Sequence, residues 1–263
     1  MLADVWTKTL WDKRRALFGW ALGFFAVALI YGGFYPMTAT PEYEEIIESL
    51  PPAMVDAFGW DEIASAHGYL GSTVYGLLGP ALAIIMGIAF GANAIAGDEE
   101  AGGMELLIAH PVSRSSVVLQ RSFALLLSML GAGAVVFLAV LLLRGPIELD
   151  LPRGNVAAAS VNLALLGTLF GAVALLAGAF RGRRGLAIGI ATVVAVAAFL
   201  ANGLAPQVEG LAWIQELSPF HWFDGTGTLR DGIDPANTLL LAATALVLTL
   251  VAAAAFNRRD VAV

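Results

Sequence analysis

The sequence predicts an all-α integral membrane protein: six transmembrane helices, an N-terminal interfacial helix, and a short cytoplasmic helix between the second and third spans. Three observations predict it. Of 263 residues, 59% are hydrophobic and 13% charged, with mean hydropathy +0.79; a soluble domain carries about a quarter charged residues. Six apolar runs reach the roughly 20 residues that a helix needs to cross the hydrocarbon. Basic residues gather at the termini and in alternate connections, as in a chain that crosses a bilayer repeatedly.

The runs cover residues 16–35, 69–97, 123–143, 156–180, 186–206 and 238–256. Each must be helical, because an unpaired backbone group in lipid is too costly. The second is long enough to tilt or to project beyond the bilayer. Nothing between the runs is long enough for a separate soluble domain, so residues 1–263 read as one transmembrane domain. The first run is too long for a signal-peptide core, and no cleavage site follows it.

Charge sets the orientation. The N-terminus (Lys8, Lys13, Arg14, Arg15), Arg114 and Arg121, Arg181, Arg183 and Arg184, and Arg258 and Arg259 hold 11 of the 14 basic residues against 7 acids. This side, at +4, is assigned to the cytoplasm, with both termini. The other side holds Arg144, Arg153 and Arg230 against 14 of the 21 acids, a balance of −11.

The N-terminus reads as a surface helix. Leu2, Trp6 and Leu10 recur every four residues, while Asp4, Lys8, Asp12 and Arg15 line another face. Lys13, Arg14 and Arg15 would meet the headgroups where the chain turns into the first span. The other reading is a plain extension of that span. On the outer side, Thr40 and Pro41 start a short helix whose Tyr43, Ile46, Ile47 and Leu50 form an apolar stripe. It is either a lid over an exit path or an interfacial helix on the headgroups. Phe220, Trp222 and Phe223, in "LSPFHWFDG", suit an outer gate, a membrane-interface belt or a re-entrant turn.

Several function classes are excluded. There is no cysteine, hence no disulfide or thiolate metal site. The only lysines, Lys8 and Lys13, follow no glycine-rich loop, so no P-loop binds ATP here. No HExxH or GxSxG occurs, and His67, His110 and His221 stand alone. The six apolar cores hold no Asp, Glu, Lys, Arg or His, which argues against proton or ion coupling. Gly87/Gly91 and Gly167/Gly171 have small-xxx-small spacing, which ordinary bundle packing explains. Asp98, Glu99 and Glu100 read as a solvated helix-end cluster rather than a metal site.

Between the second and third spans, "GDEEAGGMELLIAHPVSR" ends a span in three acids and turns at Gly102 and Gly103. It then gives a short helix with Met104, Leu107 and Ile108 on one face, and stops at Pro111. An exposed apolar face of this kind needs a partner. This segment, with the amphipathic N-terminus, six spans, basic fourth-to-fifth turn and "SPFHW", resembles the permease subunits of type-2 ABC exporters. That motif runs as acids, Gly-Thr, an acidic "LELL" helix and "P-[V/I]-S-R". The sequence departs at Gly103 (usually Thr), Met104 (usually Leu) and Arg121 (commonly Lys).

The resemblance implies that the short helix is a coupling helix for a cytosolic ABC ATPase, with Glu99, Glu100, Gly102, Glu105, Leu106, Leu107, Pro111, Ser113 and Arg114 in contact. It implies a plasma-membrane exporter of two permease chains, identical or homologous, around one path. Two ATPase subunits would carry the ATP and Mg, and this chain would need no cofactor. An uncharged Ala/Leu/Gly-rich interior suits an amphipathic, hydrophobic or lipid-like substrate; nucleic acid is not expected. The competing reading is a membrane sensor or assembly scaffold without transport.

Overall fold

The computed structural model describes residues 4–51, 54–55, 62–103, 113–147 and 149–259. It is 85% helical, without strands among those residues. Six helices are long and apolar enough to cross a membrane: Arg14–Thr38, Ala66–Glu100, Arg114–Leu143, Arg153–Arg181, Arg184–Gln207 and Pro235–Arg258. Each contains its predicted apolar run and continues into polar turns at its ends. Ser113 caps the third span by accepting the Ser116 N–H at 3.2 Å. Asp234 caps the sixth through Ala236 and Asn237, just ahead of Pro235. Gly182, at φ 63°, closes the fourth in the left-handed conformation.

The fourth span is the axis of the bundle: 83% of its apolar window is buried, against 17% for the first and fifth. The second span packs on it through glycines. A Cβ on Gly87 or Gly91 would overlap the carbonyl of Gly167 or Gly171, so only hydrogen fits there. The third span joins in the same way, with Gly133 against the Ser160 carbonyl. In lipid no hydrophobic force draws helices together, and close backbone contact supplies the attraction. The glycine spacing that read as generic packing is thus the tightest seam of the fold.

The second span is irregular in two places. Pro80 lacks the N–H that a regular helix would use four residues back, and the turn before it, Val74–Leu78, widens to π geometry. Tyr75 lies in this turn and shares a 2.8 Å hydrogen bond with Ser160, both buried. A second π turn, Asn93–Gly97, immediately precedes the acids.

On the face opposite the termini, Pro41–Glu48 is a helix with Pro in its first turn, capped by Thr40. Tyr43 and Ile47 pack on the core, whereas Ile46 stays exposed. The segment after the fifth span folds back into the bundle. Ser218 donates to the Ala198 carbonyl at 3.0 Å. Asn155 donates to the Leu229 and Arg230 carbonyls, each at 3.0 Å, and Phe223 and Leu229 are buried.

The glycine seam makes a direct prediction. Gly91→Ala should cost about 1–3 kcal/mol by overpacking. Gly189→Ala, on an open face of the fifth span, should be neutral or slightly stabilising, because alanine favours a helix. Thermal unfolding in detergent compares the two; equal stability would show that the seam tolerates a methyl group.

Candidate functional site at the charged end of the bundle

Both termini, the basic fourth-to-fifth turn and the start of the third span meet at one end, around the acidic tip of the second span. Of its three consecutive acids, Asp98 and Glu100 keep exposed surface and Glu99 is mostly covered. Their carboxylates turn to three different partners. Asp98 pairs with Arg121 of the third span. Glu99 pairs with Arg259 beyond the sixth. Glu100 accepts the Arg184 backbone N–H at 3.0 Å, which satisfies a free donor at the start of the fifth. Since the carboxylates diverge, they offer no metal cage.

Arg121 corrects the sequence reading most sharply. It was placed in a connecting segment, yet it lies two turns inside the third span with its side chain 7% exposed. A buried arginine is tolerated when its donors are used. One nitrogen meets Asp98, and another donates to the Ala94 carbonyl in the widened π turn.

Arg259, read from sequence only as an orientation marker, joins four spans. Its guanidinium reaches Glu99 at the end of the second. It also donates to the Gly178 and Ala179 carbonyls, at 3.3 and 3.2 Å, near the end of the fourth. Its own carbonyl accepts from Arg114, at the start of the third, at 2.6 Å. Asn257, two residues earlier in the sixth span, donates to Ser115. Nothing local in the sequence marks Arg259, because its partners lie 80 to 160 residues away.

Of the candidate coupling residues, Glu105, Leu106, Leu107 and Pro111 lie outside the described residues. The others form the two feet of that segment. On one side Glu99 and Glu100 are anchored and Gly102 adopts φ 71°, a conformation that favours glycine. On the other, Ser113 caps its helix and Arg114 holds the Arg259 carbonyl. Because both feet touch Arg259, the segment is tied to the ends of four spans.

The N-terminal helix, Val5–Asp12, ends at Lys13 and lies along the third span. Gln120 accepts the Val5 N–H at 2.8 Å, a cap supplied from another helix. Trp6 meets Phe123 edge-on at 5.5 Å. Arg14 donates to the Trp11 carbonyl, Arg15 is exposed, and Leu2 lies outside the described residues. Lys13 sits 4.4 Å above the Phe90 ring. Burial depresses its ammonium to about pKa 8, with Asp98 opposing the shift and Arg121 and Arg184 adding to it.

Among the aromatic candidates, Phe220 contacts Phe170 at a tilt (5.7 Å) and Phe199 edge-on (5.4 Å), and Phe223 is buried. Trp222 donates to the Glu216 carbonyl at 2.7 Å. Phe220 and Phe199 close one end of an apolar groove of about 530 Å³ between the second and fifth spans, with Thr192 on its wall.

Five spans packed around a sixth, with an ion-paired end that carries the termini, define a multi-pass α-helical membrane protein. A family model described as ABC-2 family transporter protein matches residues 4–261, and the chain belongs to that family as a permease of the ABC-2 type. No curated protein matches it.

Two predictions follow from the ion pairs and Lys13. Glu99→Gln should cost about 3 kcal/mol, the lower end for a broken buried pair, since the two side chains keep 14% and 19% exposure. Arg259→Gln should cost more, because it also uncaps the fourth span. The double variant should cost less than the sum; strict additivity in unfolding measurements would mean that the pair is not coupled. Separately, Lys13 loses its proton near pH 8 in the folded chain and near 10.5 when unfolded. The penalty for burying the charge is complete below pH 8 and disappears as pH rises from 8 to 10.5, so stability should rise across that window. Lys13→Gln should flatten the rise; an unchanged slope would contradict the burial of this ammonium.

Proposed function

We propose that this permease is the membrane subunit of an ATP-driven exporter of the plasma membrane, working as a pair of identical or homologous chains with two cytosolic ATPase subunits that carry ATP and Mg. Membership of the ABC-2 family supports the reading. The observation that carries it is the anchoring of both feet of the 97–121 segment. A segment that receives force from an ATPase must be rigidly joined to the spans it moves, and Glu99, Glu100 and Arg114 supply that joint here. The termini then lie in the cytoplasm, in keeping with their positive charge. ATP binding by the partner biases a two-state bundle through contacts that differ between the states.

The groove between the second and fifth spans supports a hydrophobic or amphipathic substrate. Its walls include Leu77, Ile84, Ile188 and Val196 and, among the described residues, no charged group. The fifth span leaves Val193, Val196 and Leu200 largely exposed, an apolar face on which a second permease chain would close the path.

The test is coupling. Leu107→Asp places a charge on the apolar face of the segment and should abolish co-purification of the ATPase and substrate-stimulated ATP turnover, with the spans still inserted. Full assembly and turnover in that variant would remove the segment from the coupling role.

A further inference from the structure

Two cavities meet beside the N-terminal helix, and neither is used by the coupling joint or the apolar groove. The first, about 260 Å³, opens between this helix and the second and third spans, walled by Lys8, Thr9, Lys13, Asn93, Asp98 and Arg121. The second, about 230 Å³, is lined by Leu17, Trp20, Met86, Leu127 and Ala132 between the first three spans. Leu10 and Ser128 are walls of both. A charged chamber at the bundle end and an apolar slot deeper among the spans thus lie side by side at Leu10 and Ser128.

The charged chamber is built for an anion. Of its two acids, Asp12 is paired with Lys8 at 3.4 Å and Asp98 with Arg121. Lys13 has no carboxylate partner among the described residues, only the Phe90 ring. Arg121 is 93% buried, and its Nε has no hydrogen-bond partner among them. A buried guanidinium N–H without a partner costs free energy until something accepts from it. Arginine N–H groups suit phosphate oxygens well. Lys13 is likewise held away from water, and its ammonium is depressed because burial outweighs the opposing pull of Asp98.

We propose that these cavities form a binding site for one anionic phospholipid of the inner leaflet, its phosphate between Lys13 and Arg121 and an acyl chain in the slot behind Leu10 and Ser128. The apolar slot favours a lipid over a free phosphate, since the ion would leave the slot empty. The chamber also touches Gly103, at the start of the coupling segment. The lipid thus completes the joint between the N-terminal helix and the second and third spans. The site is independent of which substrate the permease moves.

The test uses the full-length chain, purified in a zwitterionic detergent and examined by native mass spectrometry. The probes are palmitoyl-oleoyl phosphatidylglycerol, phosphatidylcholine with the same chains, and inorganic phosphate. One phosphatidylglycerol per chain should be retained, and phosphatidylcholine much more weakly. Lys13→Gln should weaken retention about five- to tenfold, the effect of one basic residue near an anionic headgroup, and Lys13→Arg should restore it. Leu10→Trp, which narrows the shared wall, should also weaken it. Arg15→Gln should not, since Arg15 is exposed and lines neither cavity. Equal retention of phosphatidylcholine, an unchanged affinity in Lys13→Gln, an equal loss in Arg15→Gln, or displacement of the lipid by millimolar phosphate would each overturn the proposal.

Discussion

The backbone contact between the second and fourth spans sets the position of nearly everything else. Gly87 and Gly91 lie against the carbonyls of Gly167 and Gly171. Helices that approach this closely gain dispersion contacts that lipid cannot match. The contact also fixes the height and rotation of the second span on the axis of the bundle. Its acidic tip, eight residues beyond Gly91, is thereby brought level with the ends of the third, fourth, fifth and sixth spans. Asp98, Glu99 and Glu100 each find a different partner because of that placement. The π turn at Asn93–Gly97 supplies the remaining adjustment and presents the Ala94 carbonyl to Arg121.

The charged end then behaves as one joint. Arg259 links Glu99, the end of the fourth span and Arg114, so displacement of either foot of the 97–121 segment bears on several spans together. This would give the proposed coupling a physical basis in a chain whose apolar cores hold no Asp, Glu, Lys, Arg or His. The opposite face is built differently. Ser218 and Asn155 tie the segment after the fifth span to the fifth and fourth spans through hydrogen bonds, and Phe220 lines the apolar groove. Arg230 adds a longer ion pair there, to Glu62 at 3.7 Å.

The number, order and helical character of the spans were legible because the apolar runs are long and sharply bounded. The boundaries were less so. The third span begins at Arg114 rather than Phe123; hydropathy treats Arg121 as a stop, whereas Asp98 neutralises it inside the bundle. The glycine pairs were visible, but spacing alone names no partner helix. Pro80 was visible too, without showing that the turn before it would widen and place Tyr75 against Ser160. The sequence showed the three acids that end the second span. It did not reveal Arg259, whose role exists only once four helix ends converge, or that Gln120 would cap the N-terminal helix.

The central claim is that the glycine seam positions the acidic tip, and hydrogen–deuterium exchange on Gly87→Ala tests it most directly. Gly87 lies twelve residues from Glu99, about 18 Å along a helix. If the seam sets the tip, exchange should quicken at residues 97–101, 178–184 and 255–259, well away from the substitution. If it quickens only around residues 85–93 and 165–173, the ion-paired end holds itself together without the seam, and the account is wrong.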